Sequence, residues 1–245
     1  RKLNATRGEV RHKGAIDLVT RFDHEAEALL RGRVQARFPA HHWVGEEQGE
    51  ERHPDGLTWY VDPIDGTTNF VHGHPFFAIS IALYEGAVPL AAVVQAPALG
   101  LAWWARRGGG CFRQGQACRV SATTELRAAL VATGFPYHRW QGGDNNEREF
   151  SAFLRRSQGV RRCGAAALDL ALVADGSYDL YWERDLKAWD MAAGALLVQE
   201  AGGELSDYQG RPADARSGEL VASNGRLHAA ALQVLQTLRG SEAVA

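Results

Sequence analysis

Trp59-Tyr60-Val61-Asp62-Pro63-Ile64-Asp65-Gly66-Thr67-Thr68-Asn69-Phe70 is the segment from which the rest of the chain is read. Trp59, Tyr60 and Val61 are strong β-formers and indicate a buried strand running up to a carboxylate. Pro63 presets its own φ and suits the second place of a turn. A sharp bend is therefore expected between Asp62 and Asp65, with both carboxylates on one side and the Ile64 carbonyl between them. Gly66 lets backbone approach a ligand. If Gly66 and Thr67 open a helical turn, their N–H groups can hold a phosphate, with the Thr67 hydroxyl alongside. Two such carboxylates repel by about 4 kcal/mol at ~4 Å and an effective dielectric of about 20. Arg52 and His53 are the only basic residues from Glu51 to Val71, so a bound cation is the favoured counter-charge. All-oxygen ligands select a hard ion, Mg²⁺ first. The alternative is an Asx-turn, in which both acids bond only local N–H groups.

Composition sets wider bounds. The chain has 245 residues, 45% hydrophobic and 23% charged, which suits one large α/β unit or two closely joined halves. A formal net charge of −2 gives no field that favours nucleic acid or a membrane surface. Arg1, Lys2, Arg7, Arg11 and Lys13 cluster near the start and suit a solvated loop. Cys111, Cys118 and Cys163 are odd in number and lack a C-x-x-C spacing, which argues for small buried hydrophobes in a reducing, cytoplasmic setting. No apolar run reaches the roughly 18 residues of a membrane span, and no signal peptide pattern is present. The chain does not begin with Met, so a processed or trimmed start is expected.

Along the chain, Ala15–Thr20 reads as a strand. Residues 23–38 read as an amphipathic helix with acids in its first turn, an apolar face of Ala28, Leu29, Leu30, Val34 and Phe38, and a stop at Pro39. Trp43–Gly45 reads as a strand ending in Glu46 and Glu47, and residues 51–57 as a polar loop. Strands at 76–84, 87–95 and 101–105 with short turns imply an antiparallel meander. Arg106–Gly110 lacks the G-K-[ST] ending of a nucleotide loop and is read as a flexible turn before a small hairpin. His72 and His74 are read as surface loop. From Leu130 onward helix and strand alternate, which predicts a smaller mixed sheet. The expected division lies near residues 125–130. It separates an α+β half (1–127) with most of the acids from an α/β half (128–245) with Asp190 at the start of a helix.

Several segments together resemble a known family. D-P-I-D-G-T-T-N-F (62–70) is joined by D-L-V-T-x-x-D (17–23), G-E-E (45–47), W-D-x-A-A-G (189–194) and E-A-G-G (200–203), and these resemble the marks of the inositol monophosphatases. The resemblance spans roughly residues 13–235. It implies a layered αβαβα sugar-phosphatase fold and an Mg²⁺-dependent, lithium-sensitive phosphomonoesterase, expected as a homodimer. Two or three ions are implied: Glu46, Asp62 and the Ile64 carbonyl for one, Asp62, Asp65 and Asp190 for the second, and a third sharing Glu46. Thr67 paired with Asp23 is implied to activate water, with Glu47 behind the ligands. Asp65, Gly66, Thr67, Ala166, Glu183 and Asp190 are implied to touch the substrate. The implied reaction is hydrolysis of a small phosphate ester, myo-inositol monophosphate first, by metal-activated water. Histidinol phosphate, fructose 1,6-bisphosphate and a non-catalytic role in transcription stay open. The chain departs from the pattern at Gln48, at Ala165, where a hydroxyl is usual, and at Arg184-Asp185 near the expected mouth.

Overall fold

The computed structural model describes residues 10–12, 18–51, 56–141, 145–214 and 217–240. Strands β1 (Val10–His12) and β2 (Leu18–Thr20) pair antiparallel. The rest of the basic N-terminal loop, with Asp17, lies outside the described residues. Thr20 caps α1 (Arg21–Arg37). Its hydroxyl accepts from the Phe22 N–H at 3.1 Å, and the Asp23 carboxylate accepts from the Thr20 N–H at 2.8 Å. The expected apolar face of α1 is not its inner face: Leu29 is 59% exposed, and the buried residues of the helix are Asp23 and Glu27. Packing of two acids against polar partners overrode the hydrophobic pattern.

The larger sheet contains β3 (His42–Gly45), β4 (Gly49–Glu51), β5 (Thr58–Asp65), β6 (Ala78–Glu85), β7 (Val88–Ala96), β8 (Leu101–Arg106), β9 (Gly110–Arg113) and β10 (Gln116–Cys118). Their order is β10-β9-β8-β7-β6-β5-β3-β4. Only β3 and β5 pair in parallel, so the expected meander holds from β5 to β10. β4 places Glu51 in a strand rather than a loop, because Gly49 turns the chain back onto β3. The expected sharp bend in the Asp62–Asp65 segment is instead a bulge within one continuous strand. Asp62 pairs with Ser80 and Asp65 with Ala78, so β5 carries one more residue than β6 across that interval. A bulge accommodates Pro63, which cannot donate to a ladder, and re-aims the side chains beside it.

The smaller sheet contains β11 (Leu130–Thr133), β12 (Gly159–Arg161), β13 (Leu180–Arg184), β14 (Glu204–Ser206) and β15 (Glu219–Ser223) in the order β12-β11-β13-β15-β14. β12, β11 and β13 are parallel; β15 and β14 run against their neighbours. The expected mixed sheet is thus present. Helices α2 (Thr67–His72), α3 (Glu147–Leu154), α4 (Ala166–Ala174), α5 (Ala188–Glu200) and α6 (His228–Gly240) complete the fold. α1 packs on the outer face of the larger sheet, α4 and α5 fill the space between sheets, and α3 and α6 cover the smaller sheet. The layers are therefore αβαβα.

The central core joins Tyr60, Tyr84 and Trp103 of the larger sheet to Leu168, Leu170, Met191 and Leu197 of the middle helices and Tyr181 of the smaller sheet. A second core stacks Phe153 on Trp182 at 4.1 Å, beside Val221 and Leu235. The Gly-rich turn after β8 is pinned rather than loose: the N–H groups of Gly108 and Gly110 each donate to the Glu200 carboxylate at 2.8 Å. Cys111 and Cys118 are cross-strand partners and remain free thiols. No helix among the described residues is long and apolar enough to cross a membrane.

Candidate functional site

The bulge in β5, the N-terminal ends of α2, α4 and α5, and the loops after β11, β12 and β13 surround one cavity of about 810 Å³. This is where ligands bind in sheets with parallel strands, at the carboxyl ends. Glu46, Asp62, Ile64, Asp65, Gly66, Thr67, Ala166, Glu183 and Asp190 all line it. Asp23 reaches the same place from behind and is fully buried. The Thr67 hydroxyl lies 3.1 Å from Asp23 Oδ1 and 3.1 Å from the Ile64 carbonyl, two acceptors for its single proton. Asp23 thus completes the capping box of α1 and meets Thr67 at once.

Asp62, Asp65 and Asp190 are each anchored by amide donors. Asp62 Oδ1 accepts from the Ile64 N–H at 2.9 Å, which is the local turn bond weighed as the alternative to a ligand role. Its other oxygen stays unengaged by that bond. Asp190, in the first turn of α5, accepts from the Lys187 N–H at 2.6 Å through Oδ2, leaving Oδ1. Asp65 accepts three N–H groups at the start of α4: Ala166 at 3.0 Å on Oδ1, and Ala167 at 2.8 Å and Leu168 at 3.3 Å on Oδ2. Only Oδ1 of Asp65 retains a lone pair. The Ala166 N–H is thus given to Asp65, while Ala166 itself lines the cavity.

Burial and mutual repulsion act on these carboxyls. Asp62 is held well above the usual carboxylate range by burial, then by the charges of Glu46, Asp65 and Asp190. Burial raises Asp190 likewise, and Asp65 and Glu46 add to it. Burial pushes Asp65 up to about 7 against the pull of its three amides. Glu183 also rises to about 7 through burial, opposed by the Tyr181 hydroxyl that donates to it and helped by Asp190. Such shifts mark groups that gain from a counter-charge.

The donor set fits a hard divalent ion. Glu46, Asp62, Asp65 and Asp190 bring oxygen only to one cavity, and three of them keep an oxygen or lone pair beyond their amide bonds. Among the described residues no three acid, His or Cys side chains stand close enough together to enclose an ion as they are.

Two neighbours were not foreseen, Glu27 and Asp169. Glu27, buried on α1, accepts from the Trp43 indole N–H at 3.1 Å, the Glu47 N–H at 2.7 Å and the Gln48 N–H at 3.0 Å, and so holds the turn that carries Glu46. A side chain at Gly45 would place its Cβ 2.1 Å from Glu27 Oε1, so glycine there makes room for the acid. Asp169 on α4 is buried with Oδ1 unbonded, and burial, then Glu183 and Asp65, hold it well above the carboxylate range. The only sequence signal for Glu27 is its i,i+4 spacing from Asp23. Glu47 does not line the cavity; its carboxylate lies 3.8 Å from His24 Nδ1 and is almost wholly buried. Arg184 is turned toward Tyr208 and Glu219, which leaves Asp185, 3.6 Å from His138, as the acid of that pair at the mouth.

Comparison with known proteins agrees with this architecture. The family model "Inositol monophosphatase family" matches residues 1–239. An inositol-1-monophosphatase of Rhizobium meliloti is 42% identical over 233 residues, covering 93% of this chain and 86% of the relative. A protein of Pseudomonas aeruginosa named Nus factor SuhB is 43% identical, with the same coverage of 93% and 86%. Among solved structures, an inositol monophosphatase from Anabaena superposes with a TM-score of 0.85 at 39% identity, covering 88% of this chain and 86% of that one. An IMPase from Thermotoga maritima gives 0.87 at 34%, covering 98% and 92%. With its sheets, its acid-lined cavity and these similarities in accord, the chain belongs to the inositol monophosphatase family.

Proposed function

We propose that the chain hydrolyses a small phosphomonoester, myo-inositol monophosphate first among candidates, to alcohol and inorganic phosphate with Mg²⁺ as cofactor. The observation that carries this is the meeting of Glu46, Asp62, Asp65 and Asp190 in one cavity beside the Thr67–Asp23 pair. The family is metal-dependent, and the fit of oxygen donors supports a hard ion. Glu46, Asp62, the Ile64 carbonyl, Asp65 and Asp190 are the groups that would hold it. Bound divalent ions supply Lewis-acid charge to phosphoryl oxygens and make water acidic near neutral pH.

The chain's own residues do the rest. Amides of Gly66 and Thr67, at the start of α2 and on the cavity wall, face the ester phosphate. The Thr67 hydroxyl, when it donates to Asp23, turns its lone pairs toward the cavity and orients the attacking water. Asp23, buried and ionisable, receives that proton if Thr67 relays it. Glu183 and the remaining lone pair of Asp65 face the alcohol side.

The test is phosphate release from myo-inositol 1-phosphate, histidinol phosphate and fructose 1,6-bisphosphate with and without Mg²⁺. Asp62→Asn and Asp190→Asn should abolish Mg²⁺-dependent release while circular dichroism remains that of the folded protein. Near-normal turnover in either variant refutes the reading. The Pseudomonas relative's name favours one second reading, a partner protein in transcription. Co-purification with RNA polymerase that persists in Asp62→Asn, with no ester cleaved, would select it.

A further inference from the structure

The hairpin that ends the larger sheet carries two of the three cysteines. β9 and β10 are joined by Gln114-Gly115, both at positive φ, and the register sets Cys111 directly opposite Cys118. Opposed residues of an antiparallel pair stand about 4.5–5.5 Å apart at Cα, inside the range of about 4.4–6.8 Å that a disulfide spans. The side chains already meet: Cys118 Sγ lies 3.3 Å from Cys111 Sγ. Both are free thiols. Cys111 is buried, at 1% exposure, whereas Cys118 is partly open to solvent beside the exposed residues 114–117. β10 is three residues long and forms the edge of the eight-stranded sheet, where its neighbour is β9. No residue from 110 to 118 lines the acidic cavity.

A short edge strand with few buried contacts opens before the core does. A covalent tie between its opposed residues removes that freedom. We propose that Cys111 and Cys118 are a dithiol–disulfide modification site that pins the edge hairpin, closed by exchange with a low-molecular-weight disulfide and reopened by a thiol. Cys118, the more open sulfur, is the entry point. Its thiolate attacks one sulfur of the small disulfide and expels one small thiolate, which leaves a mixed disulfide on Cys118. The Cys111 thiolate then attacks the Cys118 sulfur, forms the protein disulfide and expels the second small thiolate. The two protons given up by the protein thiols pass to the two expelled thiolates. The protein thus loses two hydrogens, and the small disulfide is reduced to two thiols. Burial raises both protein thiols above their ordinary range, and the buried Asp175 carboxylate adds to this, while Arg113 opposes it at Cys118. Thiolate is therefore scarce near neutral pH, so the pair answers a sustained oxidising challenge rather than a brief one.

The test treats the folded protein with oxidised glutathione at about pH 8.5, where more thiolate is present. Remaining thiols are alkylated in denaturant, and the protein is digested with trypsin without reductant. Cleavage after Arg107, Arg113 and Arg119 puts Cys111 on peptide 108–113 and Cys118 on peptide 114–119. Mass spectrometry should find these two peptides joined, Cys163 alkylated on a third, and the joined pair separated by dithiothreitol. Cys111→Ser should instead hold a stable glutathione adduct on Cys118. Cys118→Ser should hold about tenfold less on Cys111, because that sulfur is buried. Plain packing of two small side chains would not give this asymmetry. Amide hydrogen exchange at residues 116–118 should slow several-fold in the oxidised wild type and stay unchanged in treated Cys111→Ser. None of these readouts uses phosphate release, so their outcome is separate from that of the phosphatase reading. Full alkylation of both cysteines after treatment overturns the site. So does glutathione left on Cys118 of the wild type with Cys111 free, or a bond from either cysteine to Cys163. A disulfide that leaves exchange at 116–118 unchanged overturns the pin.

Discussion

Replacement of Glu27 tests how the turn that carries Glu46 is held. In Glu27→Ala the Trp43 indole N–H and the Glu47 and Gln48 amides lose their acceptor. The indole is buried, so its loss should cost about 2 kcal/mol. The two amides are partly reached by water, and about 0.5–1 kcal/mol each is reasonable. The sum is about 3–4 kcal/mol. For a chain of this size each kcal/mol moves Tm by about 2–4 °C, so a fall of about 10 °C is expected by circular dichroism in chelator. Because the turn carries Glu46, the Mg²⁺ concentration for half-maximal activity should rise about 10- to 100-fold, as for other outer supports of metal ligands. Glu27→Gln should fall between. Its oxygen can keep the two donors on Oε1, while its NH₂ meets the Glu47 N–H head-on. A Tm within 2 °C of wild type in the Ala variant would refute the reasoning.

Other outcomes follow from the same geometry. A carboxyl whose folded pKa is raised favours the protonated folded state. Glu183, lifted from 4.5 to about 7 by burial, therefore contributes a loss of stability as pH climbs through that window. In metal-free buffer the Tm of wild type minus that of Glu183→Gln should decline from pH 4.5 to 7 and then level off; a flat difference counts against it. Gly66 adopts φ 89°, and a Cβ there would lie 3.1 Å from Ala165 Cβ and 3.2 Å from the Phe76 carbonyl. Gly66→Ala should lose about 2–3 kcal/mol by denaturant melt, and an unchanged midpoint would show that the strand can shift. Lithium at tens of millimolar should inhibit phosphate release; full activity there speaks against the proposed ion site.

Much of the fold and part of the site were legible locally. The strand into Asp62, the acid-rich start of α1 and the alternation after Leu130 follow from propensity and period. Asp23 and Asp190 could be placed at helix starts for the same reason, and their convergence came from resemblance. What could not be read were bonds between distant residues. Glu27 meets residues 16 to 21 positions away, and Asp65 meets α4 more than 100 positions away. The inner face of α1 was misread because a helix packed through two buried acids leaves its leucines outside. Pro63 suggested a corner, yet an extra residue in β5 absorbed it.

Asp65 belongs to the larger sheet, and the amides it accepts open α4, the helix that lies between the two sheets. One side chain therefore rivets the two layers through the chamber floor. Any hinge that parted them would first have to strip three donors from a carboxyl that the chamber needs. Residues 134–139 and 185–187, in the loops after β11 and β13, line the same cavity. Damage at position 65 would register at once as lost activity and as loosened architecture, two defects from a single stitch.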